Sequence, residues 1–199
     1  LNKKKNESYK GKEYKELGKY AVEIYKSLSF NLTESQIKSL RDIRSDLKLK
    51  KPMNRLIQGD VGCGKTIVAV ITAAIVVGHN SQIAIMAPTE ILAEQHFNSF
   101  IKHFKNYNIS CELLISNINK TDKNDIYKKL ENGEINIIVG THALIQEKVK
   151  FKDLGLVIID EQHRFGVGQR KGLLDKGNNP NVLSMTATPI PRTLAFTIH

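Results

Sequence analysis

Gly59-Asp60-Val61-Gly62-Cys63-Gly64-Lys65-Thr66 sets three glycines, a lysine and a hydroxyl at fixed spacing. This is the pattern G-x-x-x-x-G-K-[ST], in which backbone N–H groups wrap an anion and a helix N-terminus points at it. Lys65 is long enough to reach β- and γ-phosphates, and the Thr66 hydroxyl can ligate Mg²⁺. Further along, Asp160-Glu161-Gln162-His163 brings two adjacent carboxylates to the end of an apolar run. Asp160 can hold Mg²⁺ through water, while Glu161 can orient and deprotonate an attacking water. Those are the parts that phosphoryl transfer to water requires. Gln162 and His163 could sense a γ-phosphate or couple it to the next segment. In isolation, Asp160-Glu161 could equally be a helix N-terminal pair answering the dipole. The phosphate loop upstream favours catalysis.

The elements that would position these residues are legible in outline. A short buried strand is expected over 55–58, and a largely buried helix over 67–77 that stops at Gly78. Apolar runs at 83–87, 110–115, 135–139, 156–159 and 182–185 alternate with helical patterns at 91–104 and 122–132, the latter closed by Gly133. Non-alternating apolar runs separated by helices predict an α/β fold with a parallel sheet covered on both faces. In such sheets ligands bind beyond the carboxyl ends of the strands. Pro88-Thr89-Glu90, Gly140-Thr141-His142 and Thr186-Ala187-Thr188-Pro189 all follow strands. Each could present hydroxyls and helix N-terminal amides to a nucleic-acid backbone. Each is equally an ordinary turn with an N-cap, and taken singly that is the stronger reading.

Ahead of the phosphate loop, Leu17, Tyr20, Ala21, Ile24 and Leu28 follow helical spacing, which predicts an amphipathic helix docked on a neighbouring domain. Residues 1–16 are polar and lysine-rich and read as a disordered linker. Thr33 is a good N-cap with Gln36 as its capping-box partner; an adenine-recognising role for Gln36 is the alternative. Net charge is +10, with 15 Lys/Arg against 7 Asp/Glu in residues 1–55. A basic flank suits a polyanionic partner, and solvated Lys/Asn usage would look the same. No apolar run is long enough to span a bilayer, and no secretory signal is visible. Cys63 and Cys111 read as reduced thiols, and the six histidines show no ligand pairing. No structural metal is expected.

Taken together, residues 59–66, Pro88-Thr89-Glu90-Ile91-Leu92-Ala93, Gly140-Thr141-His142, Asp160-Glu161-Gln162-His163 and Thr186-Ala187-Thr188 occur in the order found in superfamily-two helicases of the DExH kind. Over about residues 28–199 the chain resembles, more closely, the RecG family of bacterial ATP-dependent branched-DNA helicases. The runs that carry this continue through Glu94-Gln95-His96, Ala143-Leu144-Ile145-Gln146, Arg164-Phe165-Gly166-Val167 and Pro189-Ile190-Pro191-Arg192-Thr193-Leu194. The related transcription-repair coupling factors share two of these stretches but typically carry glutamate where Gln162 stands.

The resemblance implies a RecA-like P-loop NTPase fold, a three-layer sandwich with a mainly parallel central sheet. Residues 29–199 would form the first motor lobe, and residues 1–28 a basic linker and helical extension. A second lobe with arginine fingers, and a fork-splitting wedge, would lie outside an excised piece such as this. The cofactors implied are ATP and Mg²⁺; the partner is branched DNA, engaged by a monomer in the bacterial cytoplasm and nucleoid. Phe30 and Gln36 would serve the adenine side, and Gly59, Gly62, Cys63, Gly64, Lys65 and Thr66 the phosphates. Thr66 and Asp160 would serve Mg²⁺. Lys65, Asp160, Glu161 and His163 would be catalytic. Pro88, Thr89, Gly140, Thr141, His142, Arg164, Thr186 and Thr188 would grip DNA or couple it to nucleotide state, with Phe165 and Gly166 assisting. One departure stands out: Ile115-Ser116-Asn117 occupies the place of a Thr-Gly-Ser-type turn, which puts DNA contact there in doubt. A coupling-factor-like translocase and a non-hydrolysing nucleic-acid-binding module are the alternatives.

Overall fold

The structure, a computed structural model, describes residues 10–60 and 62–187. Six strands build one sheet: β1 (Asn54–Gln58), β2 (Gln82–Met86), β3 (Cys111–Leu114), β4 (Ile137–Gly140), β5 (Leu154–Asp160) and β6 (Asn181–Thr186). Their order is β1-β6-β5-β2-β4-β3, and every pairing is parallel. The helices among the described residues are α1 (Gly18–Lys26), α2 (Glu34–Leu47), α3 (Lys65–Val77), α4 (Glu90–Phe104), α5 (Lys120–Asn132) and α6 (Val167–Leu174). Alternate residues of one strand feed opposite layers, as the two-residue period requires. Ile83 and Ile85 of β2 join the core under α1 to α4, while Ala84 and Met86 join the core under α5 and α6. This is the expected three-layer RecA-like sandwich.

Helix α3 is buried along its whole length from Ile67 to Val77. Sheet lies on one side of it, and α1 and α2 pack on the other. That sandwiching explains an apolar stretch with almost no polar face. Helix α1 sends Ala21 and Ile24 into the same core, so the amphipathic segment docks on the domain that follows it.

Two expectations need correction. Strand β1, expected as buried, has a burial pattern that alternates between exposed and half-buried, and Leu56 keeps 39% of its surface. The cause is position: among the described residues β1 pairs only with β6 and forms a sheet edge. Residues 10–16, expected as part of a disordered linker, are a strap fixed to the domain. Tyr14 is buried, meets His79 edge-on at 5.2 Å, and its N–H donates to the Leu47 carbonyl at 2.6 Å. Lys12 pairs with Asp153, and the Arg44 guanidinium donates to the carbonyls of Tyr14, Lys15 and Glu16. A lysine-rich segment hides one aromatic anchor, and the anchor decides its fate. Residues 1–9 lie outside the described residues.

Candidate nucleotide and coupling site

The sheet order brings the carboxyl ends of β1, β6 and β5 side by side. Each carries part of the site. Gly59 follows β1, and its N–H donates to the Thr186 carbonyl at the end of β6, 3.2 Å away. Asp160 ends β5 opposite Met185 of β6. Gly62 and Gly64 have φ of +82° and +80°, a region that a side chain disfavours, so these two glycines are required by the turn that opens α3. Lys65 folds back, its Nζ donating to the Gly59 carbonyl at 2.6 Å and the Asp60 carbonyl at 2.8 Å. Cys63 is exposed, with Sγ 3.9 Å from that ammonium.

Gly62, Lys65, Thr66, Asp160 and Glu161 line one cavity of about 260 Å³, with Gln95, His96 and Ser99 from α4 forming another wall. The predicted phosphate, metal and water-activating residues therefore meet. Thr66 and Asp160 offer oxygen donors, which fits Mg²⁺, an ion usually held by one or two protein oxygens together with substrate phosphates and water. A larger cavity of about 560 Å³ lies between α6 and the β1–β6 edge and holds neither the phosphate loop nor the paired carboxylates.

The carboxylates are individually fixed. Asp160 accepts from its neighbour's N–H, Glu161 N at 3.0 Å, and from His96 Nε2 at 2.7 Å. Glu161 sits in the left-handed region at φ 46°, ψ 53°, an uncommon place for a side-chain-bearing residue. It is held there by neighbours at the end of β6: the Thr186 hydroxyl donates to Oε2 at 3.1 Å and the Ala187 N–H to Oε1 at 3.1 Å. His163 Nδ1 lies 3.4 Å from the same Oε2.

A second cavity of about 370 Å³ is lined by Pro88, Thr89, Leu92, Glu161, His163, Arg164 and Ala187. Leu92, Glu161 and Ala187 belong to both cavities, so one wall separates them. Thr89 caps α4, its hydroxyl accepting from Leu92 N at 3.2 Å. Arg164 is exposed on a 3₁₀ turn, Phe165 is buried beneath it, and Gly166 caps α6.

Other predicted site residues are placed elsewhere. Gln36 completes the capping box, Oε1 accepting from Thr33 N at 2.9 Å, while Nε2 donates to the Cys63 carbonyl at 3.0 Å. It thus braces the phosphate loop as well as its helix. Phe30 is 51% exposed and outside the lining of the cavity of about 260 Å³. Gly140 is needed for close approach, since a Cβ there would collide with the Leu114 carbonyl. Thr141 is buried, and its hydroxyl lacks a hydrogen-bond partner among the described residues. His142 is exposed on the turn that follows. Ser116 N and Asn117 Nδ2 both donate to the Glu90 carboxylate, at 2.9 and 3.0 Å. Thr188 lies outside the described residues. Sequence reasoning assigned no role to His96, Gln95 or Ser99; helical periodicity from Ala93 to Phe100 was the signal that His96 faces inward.

Comparison with known proteins adds the following. The family model for DEAD/DEAH box helicases matches residues 33–196. An ATP-dependent DNA helicase RecG from Aquifex aeolicus is 51% identical over 183 residues, covering 91% of this chain and 23% of that protein. The Bacillus subtilis RecG is 54% identical over 179 residues, covering 89% of this chain and 26% of that one. A solved structure of RecG bound to a three-way DNA junction superposes with a TM-score of 0.84 at 47% identity, covering 97% of this chain and 26% of that one. The chain spans about a quarter of the length of these relatives.

Proposed function

Because the chain belongs to the DEAD/DEAH box helicase family, we propose that it acts as the first motor lobe of an ATP-dependent DNA helicase that remodels branched DNA, such as stalled forks and Holliday junctions. The observation that carries this reading is the shared wall. Glu161 lines the nucleotide cavity and the neighbouring one, and both of its carboxylate oxygens are held by the end of β6. The solved RecG neighbour is bound to a three-way DNA junction, which supports branched DNA as the partner here. The division into a helical extension at 1–28 and a motor lobe at 29–199 is part of the same proposal.

In this reading the backbone N–H groups around Gly62, Gly64 and Lys65 receive the phosphates. Lys65 exchanges the Gly59 and Asp60 carbonyls for phosphate oxygens, so its ammonium keeps its donors occupied in both states. Thr66 and Asp160 hold Mg²⁺, which when bound neutralises charge on the β- and γ-phosphates. Glu161 aligns the attacking water and accepts its proton. The left-handed backbone at Glu161 aims the carboxylate across the cavity, and Thr186 and Ala187 hold that aim. Movement of the β6 end therefore changes how the base is aimed. His163 and Arg164, on the other side of the wall, sit where such movement could be passed to DNA. Among the described residues lining the nucleotide cavity there is no arginine. A trans arginine is worth about 10³–10⁵ in related phosphoryl transfer. The 199-residue chain by itself should therefore bind Mg-ATP weakly and hydrolyse it negligibly.

The test is ATP turnover by the intact protein that carries this lobe, on forked DNA, linear duplex DNA and duplex RNA. Strong stimulation by forks that is lost in Lys65→Ala supports the proposal. Equal stimulation by RNA, or none by forks, would move the assignment to a different motor and leave only the nucleotide site.

A further inference from the structure

His96 is the odd member of an otherwise apolar stripe. Helix α4 buries Ala93, His96, Phe100 and Phe104 on one face, and a histidine at such a position must satisfy its ring nitrogens or pay for burial. The common solution is a bond to a backbone carbonyl. Here the Nε2 partner is the Asp160 carboxylate, 2.7 Å away, and both side chains are about nine-tenths buried. A carboxylate only accepts, so Nε2 carries the proton. The other Asp160 oxygen is held by the Glu161 N–H. Two donors from two different elements, one from helix α4 and one from the turn after β5, fix the plane of the carboxylate. An ionised carboxylate offers about four lone-pair directions; these donors use two. His96 itself lines the cavity beside Thr66 and Lys65.

We propose that His96 is a positioning residue for the nucleotide–metal site, setting the orientation in which Asp160 meets Mg²⁺. The inference rests on the reading of Asp160 as the Mg²⁺-binding carboxylate and adds a residue that acts through it. Partners that orient a metal-binding group typically change metal affinity or activity about 10- to 100-fold when removed. A histidine kept only to fill the core would leave metal affinity unchanged.

The experiment uses the intact protein and a fluorescent N-methylanthraniloyl-ADP, titrated with MgCl₂, with thermal unfolding in the absence of nucleotide as the second readout. His96→Leu keeps an apolar side chain of similar bulk on the stripe, so the helix should still pack. It should raise the Mg²⁺ concentration for half-maximal nucleotide binding about tenfold or more. His96→Gln retains an N–H donor and should recover most of the wild-type Mg²⁺ response, whether or not its melting temperature matches. A His96→Leu half-saturation within about twofold of wild type overturns the inference, as does a His96→Gln defect as large as that of His96→Leu. If wild-type nucleotide binding ignores Mg²⁺ altogether, the underlying reading of the site fails instead, and the two failures are distinguishable.

Discussion

Replacing Thr186 by valine removes one hydroxyl and keeps the shape of a side chain that is 2% exposed. What is lost is the donor to Glu161 Oε2 at 3.1 Å, together with the same hydroxyl's contact to His163 Nδ1 at 3.4 Å. A hydrogen bond to a charged group contributes about 1.5–3 kcal/mol. The left-handed backbone at Glu161 works against it, since αL costs a side-chain-bearing residue roughly 1–2 kcal/mol. The Ala187 N–H to Oε1 remains, so alignment is weakened rather than abolished, and the lower half of the range applies. At 1.36 kcal/mol per tenfold in rate, the loss is about 13- to 45-fold. It should appear in the DNA-stimulated kcat for ATP, because the bond orients the base and does not touch the phosphate loop. The KM for ATP and the affinity for ADP should stay within about twofold of wild type. A kcat within twofold of wild type, or a loss carried by KM alone, would refute the role given to the β6 end.

Three further outcomes follow from the packing. Tyr14→Ala deletes a buried aromatic anchor of the strap, and large core truncations of this kind cost about 3–5 kcal/mol; urea unfolding should show a lower midpoint at unchanged slope, and a loss below about 1 kcal/mol would mean the strap is peripheral. Gly140→Ala forces a methyl into the Leu114 carbonyl and should cost about 1–3 kcal/mol in the same assay, more than alanine costs at the unconfined Gly168. Alkaline pH should destabilise the fold. Burial pushes the Tyr14 phenol and the Cys111 thiol up to about 12 in the folded state, from ordinary values of 10.0 and 9.0. Raised folded values favour the neutral forms, so this stability is complete below pH 9 and is lost as pH rises from 9 towards 12. Cys111→Ala should flatten the first part of that decline, and an unchanged profile would contradict the burial argument.

How much of this was legible beforehand depends on what each residue's neighbours are. The apolar runs of β2, β4, β5 and β6 are buried on both faces, so their sequence alone reports their place. Strand β1 has the same kind of run in Leu56 and Ile57, but its exposure depends on which strands lie beside it, a fact about topology. Tyr14 was hidden by five lysines in the first dozen residues, because composition averages over the one side chain that packs. That Lys65, Thr66, Asp160 and Glu161 meet at one cavity was legible because their motifs follow strands of a parallel sheet, where the carboxyl ends lie side by side. The pairing of His96 with Asp160 joins residues 64 positions apart and leaves no local pattern. Gln36 was read as either cap or ligand; its two amide atoms let it cap with one and brace the loop with the other.

The sheet order also sets a timetable for biosynthesis. Among the described residues, the strand that leads into the phosphate loop finds its partner only in β6, more than a hundred residues later. At about 5–20 residues per second, a ribosome takes on the order of ten seconds to cover that interval. During it, β1 has no edge to join among the described residues, and Gly59 lacks the Thr186 carbonyl that anchors the loop. The middle strands β2, β4 and β5 can pair earlier. A nascent chain should therefore be unable to respond to nucleotide until β6 has cleared the exit tunnel, and ATP would act as a folding ligand only for chains whose last strand is already in place.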